Sequence, residues 1–142
     1  MEIKNKKAYF DYFIEETMEC GIELKGTEIK SLRRGSGDFK DTFALIRNSE
    51  VFLHNMYIAK YEEGNIFNHD ERRTRKLLLH KNEIKKLKEK VDREGYSLVP
   101  LKAYLVKNRV KILLGLGKGK KLYDKRETIK ERDLKREAQR MR

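Results

Sequence analysis

The fold of this chain is indicated most clearly by YFDYFIEETMECGIEL (Tyr9–Leu24). It is rich in aromatic and branched residues, which favour extended backbone, and only Gly21 interrupts it. A glycine inside a strand often marks a bend. The sequence therefore predicts one long strand that bends at Gly21, as expected of a sheet that curls into a barrel.

Five further apolar runs, each bounded by turn-forming residues, are also predicted strands. They are residues 42–46, 51–58, 77–79, 96–106 and 110–116. Short polar loops at 47–50 and 107–109 join two pairs of these runs as antiparallel hairpins. Pro100 is expected at an edge or a bulge because it cannot donate to a β-ladder. Six or seven short strands with tight loops predict a mainly β fold, a small, partly closed antiparallel β-barrel of the OB-fold type.

The first of two short predicted helices follows Gly26. Ile29 and Leu32 lie three residues apart on one apolar edge, Thr27 is the predicted cap, and Gly35 is the predicted end. The rest of the helix surface is predicted to be exposed. It carries Glu28, Lys30, Arg33 and Arg34.

The second predicted helix spans Asn82–Glu94, with Asn82 as a cap and Gly95 as the terminator. Its apolar residues take helical spacing at Ile84, Leu87 and Val91. Before it, Tyr61–Arg75 has no sustained period and many turn formers. That stretch is predicted to be an exposed loop ending in Arg72, Arg73 and Arg75.

Positive charge is concentrated in the last 25 residues, KGKKLYDKRETIKERDLKREAQRMR (118–142). Eleven Lys/Arg less five Asp/Glu give this segment +6, half of the net charge of +12, and residues 1–117 carry the other +6. The segment has too few apolar residues to bury itself. We therefore predict one domain over 1–117 and a basic tail over 118–142 that is disordered in the free protein and helical when bound.

No catalytic or metal-binding constellation is present in the sequence. The three histidines fall in separate segments, and Asp38 and Asp41 lie in a predicted solvated turn. The glycine run 115–119 fails both the Walker A and the dinucleotide-binding patterns. Cys20 is the single cysteine and is predicted to be a buried thiol. We expect a protein that is not an enzyme and has no cofactor and no metal.

The expected partner is a polyanion. Lysine and arginine neutralise RNA phosphates and release counterions. In a plot of the logarithm of the binding constant against the logarithm of the salt concentration, each phosphate contact should therefore contribute a slope of about −0.7 to −0.9. Glu28 is open to two interpretations of equal weight. Its carboxylate could accept from an amino group on a base edge, or it could face the dipole of its own helix. No apolar run reaches the roughly 18 residues needed to cross a bilayer, which predicts a soluble, cytoplasmic protein without a membrane partner.

Four ordered motifs closely resemble the signatures of the SsrA-binding protein family, also called small protein B (SmpB). They are GIELKGTEIKSLRRG (21–35), RTRKLLLHKNEI (73–84), GYSLVPLKAY (95–104) and KGKKLYDKRETIKERD (118–133). The resemblance covers essentially the whole chain. It implies a protein that binds the tRNA-like domain of transfer-messenger RNA (SsrA) and delivers it to stalled ribosomes for trans-translation, the process of ribosome rescue and peptide tagging.

The resemblance also implies partners and a division of labour. The OB-like barrel would hold the RNA near its D-loop and elbow, with alanyl-tRNA synthetase and elongation factor Tu engaged through the RNA. The tail would enter the empty message channel of the ribosome next to the decoding centre and become helical there. A monomer is expected.

Carried over by position, the family's functional residues fall into two sets. The implied RNA-binding residues are Glu28, Lys30, Arg33, Arg73, Arg75, Lys76, Lys118, Lys120 and Lys121. The implied tail residues that act on the ribosome are Gly119, Tyr123, Asp124, Lys125, Arg126, Lys130 and Arg132. The match to the family motif favours RNA contact for Glu28 over the helix-dipole interpretation, and Leu77–Leu79 are expected in the core.

Two departures from the family pattern are visible. Tyr123 stands where many members have a histidine before the Asp124–Arg126 triplet. Either ring can stack on a base, so we expect function without the titration of a histidine. The tail ends at Arg142, a few residues early for a typical member, which reflects either a naturally short tail or a shortened chain. A shortened chain is expected to bind RNA but to fail at peptide tagging.

The alternative function is a generic OB-fold binder of single-stranded RNA, or a structural ribosomal protein. The same basic barrel would then make sequence-tolerant contacts along an unstructured strand. The two interpretations differ in the RNA that they favour. A generic binder prefers unstructured oligonucleotides, whereas the SsrA-binding family implies a folded tRNA-like elbow.

Overall fold

A computed structural model describes the backbone of residues 1–140 and their side chains except those of 65–67, 135 and 137–140. The last two residues of the predicted tail, 141 and 142, lie outside the described residues. The described helices are α1 (Lys6–Asp11), α2 (Gly26–Arg33), α3 (Lys81–Glu94) and α4 (Leu122–Arg140), with a 3-10 helix at Glu62–Phe67. The described strands are β1 (Glu2–Lys4), β2 (Tyr12–Ile22), β3 (Gly37–Asp38), β4 (Phe43–Arg47), β5 (Glu50–His54), β6 (Tyr57–Ile58), β7 (Arg75–Leu78), β8 (Ser97–Val106) and β9 (Arg109–Gly119).

Seven of the strands form one antiparallel sheet in the order β1-β8-β9-β2-β7-β5-β4, and β3 pairs separately with β6. This confirms a mainly β, antiparallel, OB-like fold. Within residues 1–140 the two end strands β1 and β4 are not hydrogen-bonded to each other, so the barrel is open on that side. β1 was not predicted, and it pairs with residues 102–104 of β8.

The long strand β2 differs from the prediction at its start and at its bend. Residues 6–11 form α1, so the strand begins at Tyr12 and not at Tyr9. Its register against β9 shifts between Ile14 and Glu16, which places a bulge there, whereas Gly21 stays in register. A Cβ atom on Gly21 would lie 3.2 Å from the Cβ atom of Leu78. The glycine therefore permits close approach of β7, and the bulge bends the strand.

Both predicted hairpins are confirmed, and each closes with a tight two-residue turn. Asn48 and Ser49 between β4 and β5 have φ of 51° and 61°, and residues 107 and 108 between β8 and β9 have φ of 49° and 66°. Two successive positive φ values give the turn that matches the right-handed twist of paired strands. Pro100 lies where the β8–β9 register shifts, which confirms its place at a bulge.

The core fills the barrel and is closed at one side by α3, which buries Ile84 and Leu87. Gly95 ends α3 in the left-handed conformation, as predicted, with φ of 73°. The predicted cap Asn82 is wrong, because the helix begins at Lys81 with His80 before it. Leu78 is also not a core residue. Since side chains alternate along β7, Leu77 is buried and Leu78 is exposed.

The tail sequence continues from β9 into the helix α4. Its amino-terminal end is tied to α1, because the Lys120 N–H donates to the carbonyl of Asp11 at 2.8 Å. Lys121 N–H donates to the Asp124 carboxylate at 3.1 Å, which satisfies an amide at the start of the helix. This helical state is the one predicted for the bound tail. The disorder of the free tail stays a prediction.

Candidate nucleic-acid interface

The first group of predicted site residues is organised around the carboxylate of Glu28, in the first turn of α2. The predicted cap Thr27 is wrong, because the helix begins at Gly26 with Lys25 as the capping residue. Lys25 N–H donates to Glu28 Oε1 at 2.8 Å. The sequence predicted Glu28 on the exposed surface, and this is also wrong, since its side chain has 0% exposure.

Two arginines from the 73–76 motif pair with this carboxylate. Arg73 Nη2 lies 2.5 Å from Glu28 Oε1, and Arg75 Nε donates to Glu28 Oε2. Burial by itself raises the pKa of Glu28. The hydrogen bonds from Arg73, Lys25 N–H and Arg75 outweigh that effect and leave the pKa below its ordinary value. Glu28 is therefore a buried anion held by two cations.

Arg75 corrects the prediction of an exposed loop that ends in arginines. It is the first residue of β7, and its side chain is fully buried. Its Nη1 donates to the carbonyl of Met56 at 2.6 Å, and its Nη2 donates to the carbonyl of Glu71 at 3.3 Å. Burial lowers the pKa of Arg75, and the pair with Glu28 opposes that shift. The guanidinium thus joins α2, the 55–56 connection and the 70–74 loop.

A buried histidine ties the same loop to α2. His69 Nε2 lies 2.9 Å from the carbonyl of Ile58, and its Nδ1 lies 2.8 Å from the hydroxyl of Thr27. A carbonyl can only accept, so Nε2 carries the proton, and in the neutral ring Nδ1 accepts from Thr27. The loop between β6 and β7 is therefore fixed to α2 at two places, through Thr27 and through Glu28.

The outer face of this unit is cationic. Lys30 and Arg33 are exposed on α2, as the sequence predicted. Arg73 keeps 27% of its side chain exposed while Glu28 holds its inner edge. Lys76 follows on β7 and lies 3.4 Å from Glu50 at the surface. Lys30, Arg33, Arg73 and Lys76 thus keep exposed side-chain surface on the elements that the buried carboxylate joins, and this set is named the cationic surface of α2 and β7.

Two aromatic contributors to this surface were not predicted from the sequence. Tyr61 presents its ring to Arg34, whose guanidinium lies 4.6 Å from the ring centroid, and to Lys30 at 5.6 Å. Arg72 lies over the ring of Tyr57 at 5.5 Å. The sequence does show tyrosines in loops rich in arginine, which could have indicated such contacts. It does not show that Tyr61 lies next to a helix about 30 residues earlier in the chain.

The second group of predicted residues lies at the base of the tail. Lys118 and Lys120 place their ammonium groups 4.7 Å and 4.9 Å from the ring centroids of Tyr96 and Phe13. Lys120 Nζ also donates to the Thr128 hydroxyl at 2.9 Å, and Lys125 lies 3.2 Å from Asp11. Beyond these contacts the tail residues of this group are exposed. They are Gly119, Lys121, Tyr123, Arg126, Lys130 and Arg132, while Asp124 is half-buried.

The two groups lie at opposite ends of β2. Gly119 pairs with Tyr12 at the start of the strand, whereas β7 pairs with Gly21 and Ile22 at its end. A strand rises roughly 3.3 Å per residue, so these ends are about 30 Å apart along the sheet. One surface cannot include both groups at close range. The structure therefore contains two separate cationic regions, one on α2 and β7 and one at the base of α4.

Other chemistry at the described residues is limited. Cys20 is buried, its thiol donates to the carbonyl of Ile112 at 3.3 Å, and burial raises its pKa to about 12. Among the side chains that the structure describes, no group of three histidine, cysteine, aspartate or glutamate residues is placed to hold a metal ion. None of the described helices is long and apolar enough to span a bilayer.

Comparison with known proteins gives a consistent result. The family model described as SmpB protein matches residues 2–142. An SsrA-binding protein of Bacillus subtilis (strain 168) is 61% identical over 137 residues, which is 96% of this chain and 88% of that protein. An SsrA-binding protein of Caldicellulosiruptor bescii is 60% identical over 129 residues, covering 91% of this chain and 82% of that protein. A solved structure reported under "tmRNA-SmpB: a journey to the center of the bacterial ribosome" matches with a TM-score of 0.70 and 52% identity, over 85% of each chain.

Proposed function

Since the chain belongs to the SmpB family, we propose that it binds the tRNA-like domain of transfer-messenger RNA and brings this RNA to stalled ribosomes for trans-translation. The observation that carries the proposal is the cationic surface of α2 and β7 built over Glu28. In this surface the arginine side chains are oriented before any RNA arrives. Orientation in advance lowers the entropic cost of binding and favours one shape of partner.

Within this surface, the residues play two kinds of part. Lys30, Arg33, Arg73 and Lys76 have exposed side-chain surface and would contact RNA phosphates. Glu28 and Arg75 have no exposed side-chain surface, so they would contribute to RNA binding indirectly, by holding the residues that contact the RNA. Glu28 holds the inner edge of Arg73, and Arg75 holds the loop from which Arg73 projects.

The base of the tail would serve the ribosome. Lys118, Lys120 and Lys121 begin a cationic segment that α4 continues, with the side chains of Arg126, Lys130 and Arg132 exposed. Such a helix suits a channel lined by ribosomal RNA, next to the decoding centre. Tyr123, 59% exposed, is placed where a ring could stack on a base.

The remaining parts of the proposal follow from the family. The protein would act without catalysis and without a cofactor, as a monomer in the cytoplasm. Alanyl-tRNA synthetase and elongation factor Tu would be engaged through the bound RNA. These two proteins are proposed as partners only because they would bind the same RNA.

Competition between RNAs tests the proposal. Labelled tRNA-like domain is bound to the protein and challenged with unlabelled tRNA-like domain or with poly-U at equal nucleotide concentration. A surface fitted to a folded elbow should release the label to the cognate competitor at a concentration at least about tenfold lower than to poly-U. If poly-U competes as well as the cognate RNA, the generic single-strand binder is the correct interpretation.

A further inference from the structure

A groove beside α3 carries three lysines that the proposed function leaves unused. Its volume is about 380 Å³, and its cationic lining is Lys81, Lys85 and Lys88. Ser49, from the tight turn between β4 and β5, forms the opposite wall. The groove therefore lies between two separate elements of the fold, and three ammonium groups share it.

The three lysines lie on one side of α3 because their spacing is i, i+4 and i+7. All three side chains are exposed, and within the described part of the chain none of them forms an ion pair or lies over an aromatic ring. Lys90 on the same helix shows the contrast, since it lies 2.8 Å from Glu16. Like charges brought together on one helix face repel each other unless an anion joins them. Two acidic residues lie one turn beyond groove lysines, Glu89 after Lys85 and Asp92 after Lys88, and neither of them lines the groove.

The groove borders the start of β5, the strand that pairs with β7. Ser49 is followed by Glu50, which lies 3.4 Å from Lys76 on β7. Phe52, in the same strand as Glu50, pairs with Lys76 across the sheet. A chain of phosphates passing over β7 could therefore reach the groove by crossing the β4–β5 turn.

On this basis we propose that the α3 groove is a second phosphate-binding site, which takes the sugar–phosphate backbone of RNA. The inference rests on the proposed RNA-binding function and extends it to three lysines that are not among the RNA-binding residues implied by the family resemblance. The shared chemistry is a run of phosphodiesters. It could come from the tRNA-like RNA or from ribosomal RNA.

Lys85→Glu tests the site, and Lys86→Glu is the matched control. Both residues are exposed neighbours on α3 and change the net charge equally, but only Lys85 lines the groove. Binding of the full chain is measured against salt concentration in two arms, one with isolated tRNA-like domain and one with ribosomes that lack that RNA. With the RNA whose phosphates occupy the groove, Lys85→Glu should weaken binding at least fivefold more than Lys86→Glu. It should also reduce the slope of the logarithm of the binding constant against the logarithm of the salt concentration by about 1.

A triple variant, Lys81→Ala with Lys85→Ala and Lys88→Ala, should reduce the slope by about 2 to 3 in the same arm. An effect with the isolated RNA identifies transfer-messenger RNA as the source, and an effect only with ribosomes identifies ribosomal RNA. Equal behaviour of Lys85→Glu and Lys86→Glu in both arms would overturn the inference while leaving the proposed function intact. Absence of binding by the unsubstituted chain in both arms would overturn the proposed function itself.

Discussion

At the scale of single residues, the central feature is a carboxylate without exposed surface in a chain of net charge +12. Glu28 compensates two guanidinium groups that come from 45 and 47 residues further along the chain. Taking charges out of water costs several kcal/mol per ion, and such a pair survives only when its hydrogen bonds are satisfied. Here Arg75 meets that condition through the carbonyl groups of Met56 and Glu71.

Glu28→Gln should therefore destabilise the protein strongly. The substitution keeps the shape of the side chain but leaves the buried Arg75 without its counterion, for a loss of about 3 to 5 kcal/mol in the free energy of unfolding. Urea denaturation measures this loss. Glu63→Gln is the control, because the pair of Glu63 with Arg34 is exposed and should contribute little. Similar urea midpoints for the two variants would refute the structural role of Glu28.

The same carboxylate predicts a dependence of stability on pH. The pKa of Glu28 is lowered in the folded state, so its contribution is fully present above the unfolded value of about 4.3 and is lost as pH falls through the folded value. The stability difference between the unsubstituted protein and Glu28→Gln should thus be constant from pH 7 to about pH 5 and shrink below about pH 4. A difference that grows as the pH falls would contradict the assignment.

Among the secondary-structure elements, strand β9 contains two glycines whose surroundings differ: Gly117 is closely packed and Gly119 is not. A Cβ atom on Gly117 would lie 2.9 Å from the Phe13 carbonyl oxygen in β2, whereas a Cβ atom on Gly119 meets nothing within 4 Å. Gly117 therefore permits close approach of the two strands beside the bulge in β2. Gly119, at the base of the tail, is free of that constraint.

Gly117→Ala should lower the free energy of unfolding by about 1 to 3 kcal/mol, because backbone must shift to admit the methyl group. Gly119→Ala should change it by less than about 0.5 kcal/mol. Thermal or urea unfolding of the two variants provides the comparison. Equal effects would show that the β2–β9 contact is looser than the structure has it.

The helix α4 is stabilised by few contacts outside itself. Its apolar side chains Leu122, Ile129 and Leu134 are 67%, 45% and 64% exposed. A helix that buries no apolar face is marginal in water. In the free protein we expect amide hydrogens of residues 126–140 to exchange orders of magnitude faster than those of α3. Protection comparable to α3 would contradict the predicted disorder of the free tail.

For the molecule as a whole, the positions of turns and helix ends were predictable because they depend on residues close together in the sequence. The hairpin turn at Asn48 and Ser49 and the helix end at Gly95 follow from residues next to one another. The burial of Glu28 and Arg75 was not predictable, since a charged residue in a polar segment favours exposure unless a partner distant in sequence compensates it. The strand β1 was missed for a similar reason, because Ile3 pairs with Ala103 and has no hairpin partner nearby.

The two cationic regions of the molecule lie about 30 Å apart along β2, and this separation is the physical basis for two tasks. In the region on α2 and β7, hydrogen bonds to the buried Glu28 hold Arg73 and Arg75 in place. The region at the base of α4 is attached to the barrel through a few contacts around Asp11 and Phe10. We therefore expect shape-specific RNA binding from the first and action on the ribosome from the second.

Deletion of the residues after Lys121 tests this division most directly. The shortened chain and the full chain are compared for affinity to the tRNA-like domain and for peptide tagging on a stalled ribosome. We expect the shortened chain to keep RNA affinity within about threefold, because we propose that the shape-specific contacts lie on the barrel, and we expect it to lose tagging. Loss of nearly all RNA binding, or tagging at the level of the full chain, would contradict it.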